Sequence, residues 1–257
     1  MGVFEAIILG VVEGVTEFLP ISSTGHLILA GNLLKIPQTE AVKSFEISIQ
    51  LGAILAVVFL YRKVVFAGRE YLIRILSAFL PTAVLGLLLY GFVKEFLLGS
   101  SIITVFALFT GGVLLIILEK IYQKKKPSFE KVEKISLKKA FLIGIFQSVS
   151  MIPGVSRSGA TIIGGLFLGL KRETAAEFSF LLAVPTMLAA TGLDLAKNGT
   201  AFTKEEYLLM AVGFAAAFTT ALFTIQYFLR FLQKHSFVPF GVYRIIVAVI
   251  FWLFILE

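Results

Sequence analysis

Six stretches of this chain, about 42–61, 75–93, 101–119, 173–195, 207–229 and 237–256, are apolar and close to the ~20 residues a helix needs to cross a bilayer core. Lipid leaves such segments few options, because backbone groups there must be bonded internally. They read as six transmembrane helices. Hydrophobic residues make up 58% of the 257 and charged ones 15%, and the gaps between blocks leave no room for a soluble domain of ~100 residues. The expectation is one all-α integral membrane domain over 1–257. Absence of cysteine excludes disulfides, thiolate metal sites and thiol nucleophiles. Residues 1–12 carry Glu5 and lack the basic start of a cleavable signal, so the N-terminus is kept in the fold.

Two further apolar stretches, about 1–34 and 138–170, are interrupted by polar loops containing Gly and Pro. Charge suggests how they lie. Of the net +7, most sits between 120 and 139, where eight lysines face only Glu130 and Glu133. A basic run joining two apolar segments points to a cytoplasmic loop, 120–137, and not to a nucleic-acid partner. Arg62, Lys63, Arg69, Arg74, Arg230 and Lys234 then also fall inside, and the loops near 94–100 and 196–206 fall outside. The count closes only if each interrupted stretch enters and leaves on one face, as a re-entrant helix pair. Both termini are then outside, with the first pair dipping in from outside and the second from inside.

An internal repeat agrees with this. AIILGVVEGVTEFLPISSTGHLI (6–28) aligns without gaps on AFLIGIFQSVSMIPGVSRSGATI (140–162), pairing Gly10 with Gly144, Ser22 with Ser156, Thr24 with Ser158 and Gly25 with Gly159. Further on, Glu46 pairs with Glu177 and Ser48 with Ser179. Each half, 1–119 and 138–257, is a broken pair followed by three spans. Three is odd, so the second copy is inverted, and the two breaks meet near the midplane.

Glu13 and Glu17 are four residues apart and share a helix face just before Pro20. Ionised carboxylates there cost roughly 2–4 kcal/mol against lipid, so they must face a hydrated cavity. They are either a structural pair bonded to the second repeat, or ligands for a divalent metal and groups for acid–base work. Ser22, Ser23 and Thr24 occupy the loop and N-cap of the returning half-helix, where free N–H groups favour an anion. In PGVSRSGAT (153–161), Gly154 permits a turn, Ser156 and Ser158 supply hydroxyls and Arg157 a forked cation, the composition of a phosphate cradle. Arg157 also suits neutralising Glu13 and Glu17 across the repeat. Thr161 bonds either the same oxyanion or its own helix. His26 is a packing residue, or reaches the Ser23 hydroxyl or a leaving oxygen. His235 reads as surface, Glu46 and Glu177 as architecture or cavity lining, and Gln50 and Gln147 as weak cavity lining.

Acids, hydroxyls, arginine and opposed half-helix N-termini suit a phosphorylated substrate. Two classes stay open: an intramembrane phosphatase acting on a lipid headgroup, and a transporter or flippase for a phosphorylated lipid or anion. A transporter has no need of a nucleophile beside a carboxylate pair and an imidazole.

EGVTEFLPISSTGH (13–26) and PGVSRSGAT resemble the two signature motifs of the bacterial undecaprenyl pyrophosphate phosphatase family associated with bacitracin resistance. FEISIQLGAILAV, AAEFSFLLAVP and FVPFGVYRIIVA resemble other stretches of it, so the likeness covers nearly the whole chain. The resemblance implies hydrolysis of undecaprenyl pyrophosphate to the monophosphate carrier lipid of cell-wall synthesis in the bacterial cytoplasmic membrane. It also implies a divalent cation (Mg2+ or Ca2+), a re-entrant inverted-repeat fold and a homodimer. Glu13 and Glu17 become metal ligands or proton carriers, Ser22 and Ser23 the serine motif, His26 the histidine, and Ser156, Arg157, Ser158 and Thr161 the phosphate-binding group. Either Ser23 or a water activated by Glu17 attacks, and the expected site opens outward.

Overall fold

The computed structural model describes residues 1–37, 39–93, 100–122, 131–198 and 202–255, and among them the only regular elements are helices. Five helices are long and apolar enough to cross a membrane: Glu40–Leu60, Arg69–Leu89, Ser101–Tyr122, Arg172–Gly192 and Lys204–Leu232. They match five of the six expected spans. They belong to α3 (Glu40–Leu60), α5 (Arg69–Phe92), α6 (Ser101–Tyr122), α9 (Arg172–Asn198) and α10 (Lys204–Leu232), with the short α4 (Arg62–Ala67) between the first two. The sixth falls on α11 (Val238–Ile255), whose apolar stretch, Val238–Leu253, is shorter. Part of the Lys-rich loop, 123–130, and parts of the two loops expected outside, 94–99 and 199–201, lie outside the described residues.

Both interrupted stretches are pairs of short helices: α1 (Val3–Thr16) with α2 (Ser23–Leu33), and α7 (Leu137–Ser148) with α8 (Arg157–Phe167). At 1.5 Å per residue the longest of them, 14 residues, reaches about 21 Å, short of the ~30 Å hydrocarbon core. Pro20 stands in the first break, where it cannot extend the ladder of α1. The second break turns at Gly154, whose φ of +86° favours glycine and whose Cβ, if present, would stand 2.8 Å from the Thr104 Cα.

Corresponding positions of the two pairs make corresponding contacts. α1 packs on α10, and a Cβ at Gly10 would strike the Gly213 carbonyl; α7 packs on α5, and one at Gly144 would strike the Ala78 carbonyl. Glycine is what lets these backbones approach, as small residues do in membrane helix packing. α2 ends with Leu34 N–H donating to the Ala30 carbonyl and Ile36 N–H to that of Gly31, both at 2.9 Å. α8 ends with Leu168 N–H donating to Gly164 and Leu170 N–H to Gly165, the same bonds 134 residues later. The left-handed residue is Gly169 (φ +91°) in one closure and Lys35 (φ +54°) in the other. Finally, α6 and α11 cross reciprocally: a Cβ at Gly112 would stand 2.7 Å from the Gly241 carbonyl, and one at Gly241 would stand 2.8 Å from that of Gly112.

Candidate active site

The two breaks meet. Glu17 closes α1, its N–H donating to the Glu13 carbonyl, so both acids stand at the end of that helix as their spacing implied. Its two carboxylate oxygens are divided between partners. Oε2 accepts from the Ser23 hydroxyl at 2.5 Å, and Oε1 accepts from Arg157 Nη2 at 2.7 Å. The pair is buried, with side-chain exposures of 10% for Arg157 and 6% for Glu17. Arg157, the first residue of α8, reaches from the opposite break and is held in turn by α9. Its Nη1 donates to the Ser179 carbonyl at 2.9 Å and to the Ser179 hydroxyl at 3.3 Å. Ser23, Glu17 and Arg157 therefore place a hydroxyl, a carboxylate and a guanidinium in one hydrogen-bonded chain, an arrangement able to support nucleophilic attack. The expectation that Arg157 neutralises the acids across the repeat holds for Glu17.

Glu13 lies one turn earlier and is fully buried; no donor reaches its carboxylate oxygens among the described residues, and its carboxyl lies against that of Glu17. Glu17, Glu46 and Arg157 are the charged groups that act on it. Of the two readings left open for Glu46, this favours cavity lining. Gln147, the repeat mate of Glu13, is buried on the other side, donating to the hydroxyls of Thr82 and Thr186 at 2.9 and 3.1 Å.

The serines divide differently from what their order in the sequence suggests. Ser156 caps α8, its hydroxyl accepting from Gly159 N–H at 3.0 Å. Ser158 donates to the Leu19 carbonyl at 2.7 Å, tying the second break to the first. Ser22, by contrast, makes no side-chain cap and sits at φ +71°, a left-handed backbone where its repeat mate Ser156 is relaxed at φ −60°. Such a residue costs about 1–3 kcal/mol and persists only where its surroundings impose it. The first-turn N–H groups of α2 are consequently free of a side-chain cap beside the Ser23 hydroxyl. In α8, by contrast, Ser156 already takes one of the first-turn N–H groups. The Thr161 hydroxyl lies 3.0 and 2.9 Å from the Arg157 and Ser158 carbonyls of its own helix, which share its one proton, and 2.6 Å from the Ser179 hydroxyl. Thr24 is exposed while Ser22 and Ser23 are buried, so it does not join the cluster.

His26 is buried but does not bond Ser23. Nδ1 faces the Ser22 carbonyl at 2.7 Å and Nε2 the Tyr243 hydroxyl at 2.8 Å. The group against the Ser23 hydroxyl is Glu17. His235 is exposed and stacks on Phe231, as its place in a short loop implied.

Three residues of the spans complete the site without having been read from the sequence: Ser179, Tyr243 and Arg244. Arg244 is 2% exposed and donates only to backbone: to Pro20 at 3.2 Å and Gly154 at 3.0 Å in the two breaks, and to Ala107 at 2.9 Å and Leu108 at 3.2 Å in α6. A signal existed, because an arginine inside an apolar span is functional by default.

The family model described as "Bacitracin resistance protein BacA" matches residues 6–250. A relative from Sulfurihydrogenibium sp. is 55% identical over 253 residues, covering 98% of this chain and 99% of its own length. Another from Persephonella marina is 54% identical over 256 residues, with 100% of both chains covered. A third from Aquifex aeolicus is 51% identical, with 98% of each covered. All three are named undecaprenyl-diphosphatase. The motifs that form the buried Ser23, Glu17 and Arg157 cluster fall inside the matched range, and the chain belongs to the bacitracin resistance protein BacA family.

Proposed function

We propose that this chain is an integral-membrane phosphatase that hydrolyses undecaprenyl pyrophosphate to undecaprenyl phosphate and inorganic phosphate. That reaction returns the carrier lipid to cell-wall synthesis. One observation carries the chemistry: the Ser23 hydroxyl stands 2.5 Å from a Glu17 carboxylate oxygen whose partner oxygen is held by Arg157. The names of the full-length relatives supply the substrate.

Ser23 Oγ attacks the distal phosphorus while Glu17 takes its proton. The new Oγ–P bond forms as the bridging P–O bond breaks, and its electron pair leaves on the prenyl monophosphate. Water then attacks the phosphoserine, Glu17 returning the proton to Ser23 Oγ as the Oγ–P bond breaks, and the water's own protons leave on the released phosphate. Arg157 holds Glu17 in line and places a fixed positive charge beside the transferred oxygens. The uncapped start of α2 offers N–H groups to the same oxygens. Two carboxylates in one helix face, one with neither oxygen reached by a donor, fit a divalent cation completed by phosphate oxygens and water, although no three or more His, Cys, Asp or Glu among the described residues are placed to hold a metal ion by themselves. Glu13 and Glu17 would hold it, and when bound it would neutralise charge on the phosphoryl group.

We read the chain as two inverted halves, 1–119 and 138–257, with α1–α2 and α7–α8 as re-entrant pairs. The matched contacts at Gly10 and Gly144, the matched closures of α2 and α8, and the reciprocal α6–α11 crossing support this. Both termini outside and an outward-opening site in the bacterial cytoplasmic membrane follow from the charge pattern. A homodimer follows from the family resemblance alone.

Phosphate release from a polyprenyl pyrophosphate by purified protein tests the reading. Ser23→Ala and Glu17→Gln should each lower turnover at least a hundredfold, and a phosphoserine should be trapped on quenching the wild type. Normal turnover in Glu17→Gln rules out this site; normal turnover in Ser23→Ala assigns the attack to water.

A further inference from the structure

The two partners of the His26 ring differ in kind. The Ser22 carbonyl, 2.7 Å from Nδ1, can only accept, so Nδ1 carries a proton. In the neutral ring Nε2 is then a bare acceptor, and the Tyr243 hydroxyl at 2.8 Å donates to it. The rings lie nearly parallel, 5° apart with centroids separated by 5.5 Å. Ser22 is also the residue with the left-handed backbone, and its carbonyl accepts from the His26 backbone N–H at 3.3 Å as well. Strain next to Ser23 is thus coupled to the imidazole. Tyr243 precedes Arg244, which bonds both breaks, so two consecutive residues of α11 fix the imidazole and the loops around it.

We propose that Tyr243 is a further positioning residue of the phosphatase reaction, its hydroxyl holding His26 as the Nδ1–H tautomer with Nε2 turned to α11 and away from Ser23. This rests on the reading of the chain as a phosphatase. The consequence is a division of labour: Glu17 alone receives the Ser23 proton, and the locked imidazole keeps the Ser22 carbonyl, and with it the start of α2, in place. Substrate chemistry and loop geometry are then set by different side chains.

The chain has only two histidines. Uniform labelling of histidine with 15N, in full-length protein carrying His235→Gln, therefore leaves one ring to observe. The expected spectrum has a protonated Nδ1 and a pyridine-type Nε2 shifted by an accepted hydrogen bond. Tyr243→Phe, which keeps the stacked ring, should move the Nε2 resonance toward that of a free acceptor. It should also lower kcat about tenfold, below the 10²–10⁴ of an acid–base group itself, with KM within twofold. In a His26→Gln background the same change should cost nothing further. A protonated Nε2 in the wild type, an Nε2 resonance unmoved by Tyr243→Phe, or an additive loss in the double variant would each overturn the proposal. A wild type that releases no phosphate would overturn the phosphatase reading instead, leaving the nitrogen spectra to decide whether the tautomer is held as stated.

Discussion

Replacing Arg244 separates what stabilises this molecule from what aligns its site. The guanidinium is buried and donates to four backbone carbonyls. Ala107 and Leu108 lie inside α6, where helical N–H groups four residues on reach the same oxygens. Pro20 and Gly154 lie in the breaks and have no helical ladder to fall back on. Arg244→Met therefore removes two charge-assisted bonds that matter, at roughly 1.5–3 kcal/mol each, or about 3–6 kcal/mol together. Against this stands relief of the several kcal/mol spent on burying a cation without a carboxylate partner. The two nearly cancel, and unfolding of the variant in detergent should shift by no more than about 2 kcal/mol. Alignment does not cancel. The same bonds fix Pro20 relative to Gly154, hence Glu17 relative to Arg157, and a displacement of ~1 Å costs on the order of a hundredfold in rate. Phosphate release by the folded variant should fall by about that factor. Turnover within threefold of wild type, or a loss that merely tracks the fraction of unfolded protein, would refute the reasoning.

Two further outcomes follow from the paired geometry of the halves. Lys35→Gly should stabilise the protein by about 1 kcal/mol in thermal unfolding, because Lys35 holds a left-handed backbone (φ +54°) where its counterpart is Gly169. Gly10→Ala and Gly144→Ala should each destabilise by more than about 1–3 kcal/mol, since each added methyl strikes a backbone carbonyl of a packed span. Unequal effects at these two positions would count against equivalent packing of the halves.

What the sequence disclosed depended on where each residue's partner lies. Glu13, Glu17, Ser23 and Arg157 were legible because a polar interruption in an apolar run has no bland explanation in lipid, and the 134-residue register brought the two interruptions together. Of their contacts, charge suggested only that of Arg157 with Glu17, as one of two alternatives; the bond from Ser23 to Glu17 was not foreseen. Residues whose partners are backbone atoms were not legible: Arg244 bonds carbonyls, which every residue has, so nothing in its surroundings names Pro20 or Gly154. Tyr243 meets His26 across 217 residues, on a helix that composition marks only as a span. The different settings of the hydroxyls were hidden for a third reason. Ser22 and Ser156 are the same residue at the same step of the repeat, and composition makes them equivalent caps. Backbone conformation separates them, and the strained one borders Ser23. In the proposed two-half reading the halves thus agree in glycines and helix closures and differ at the serine that precedes α2, where an uncapped helix end and the Ser23 hydroxyl stand side by side.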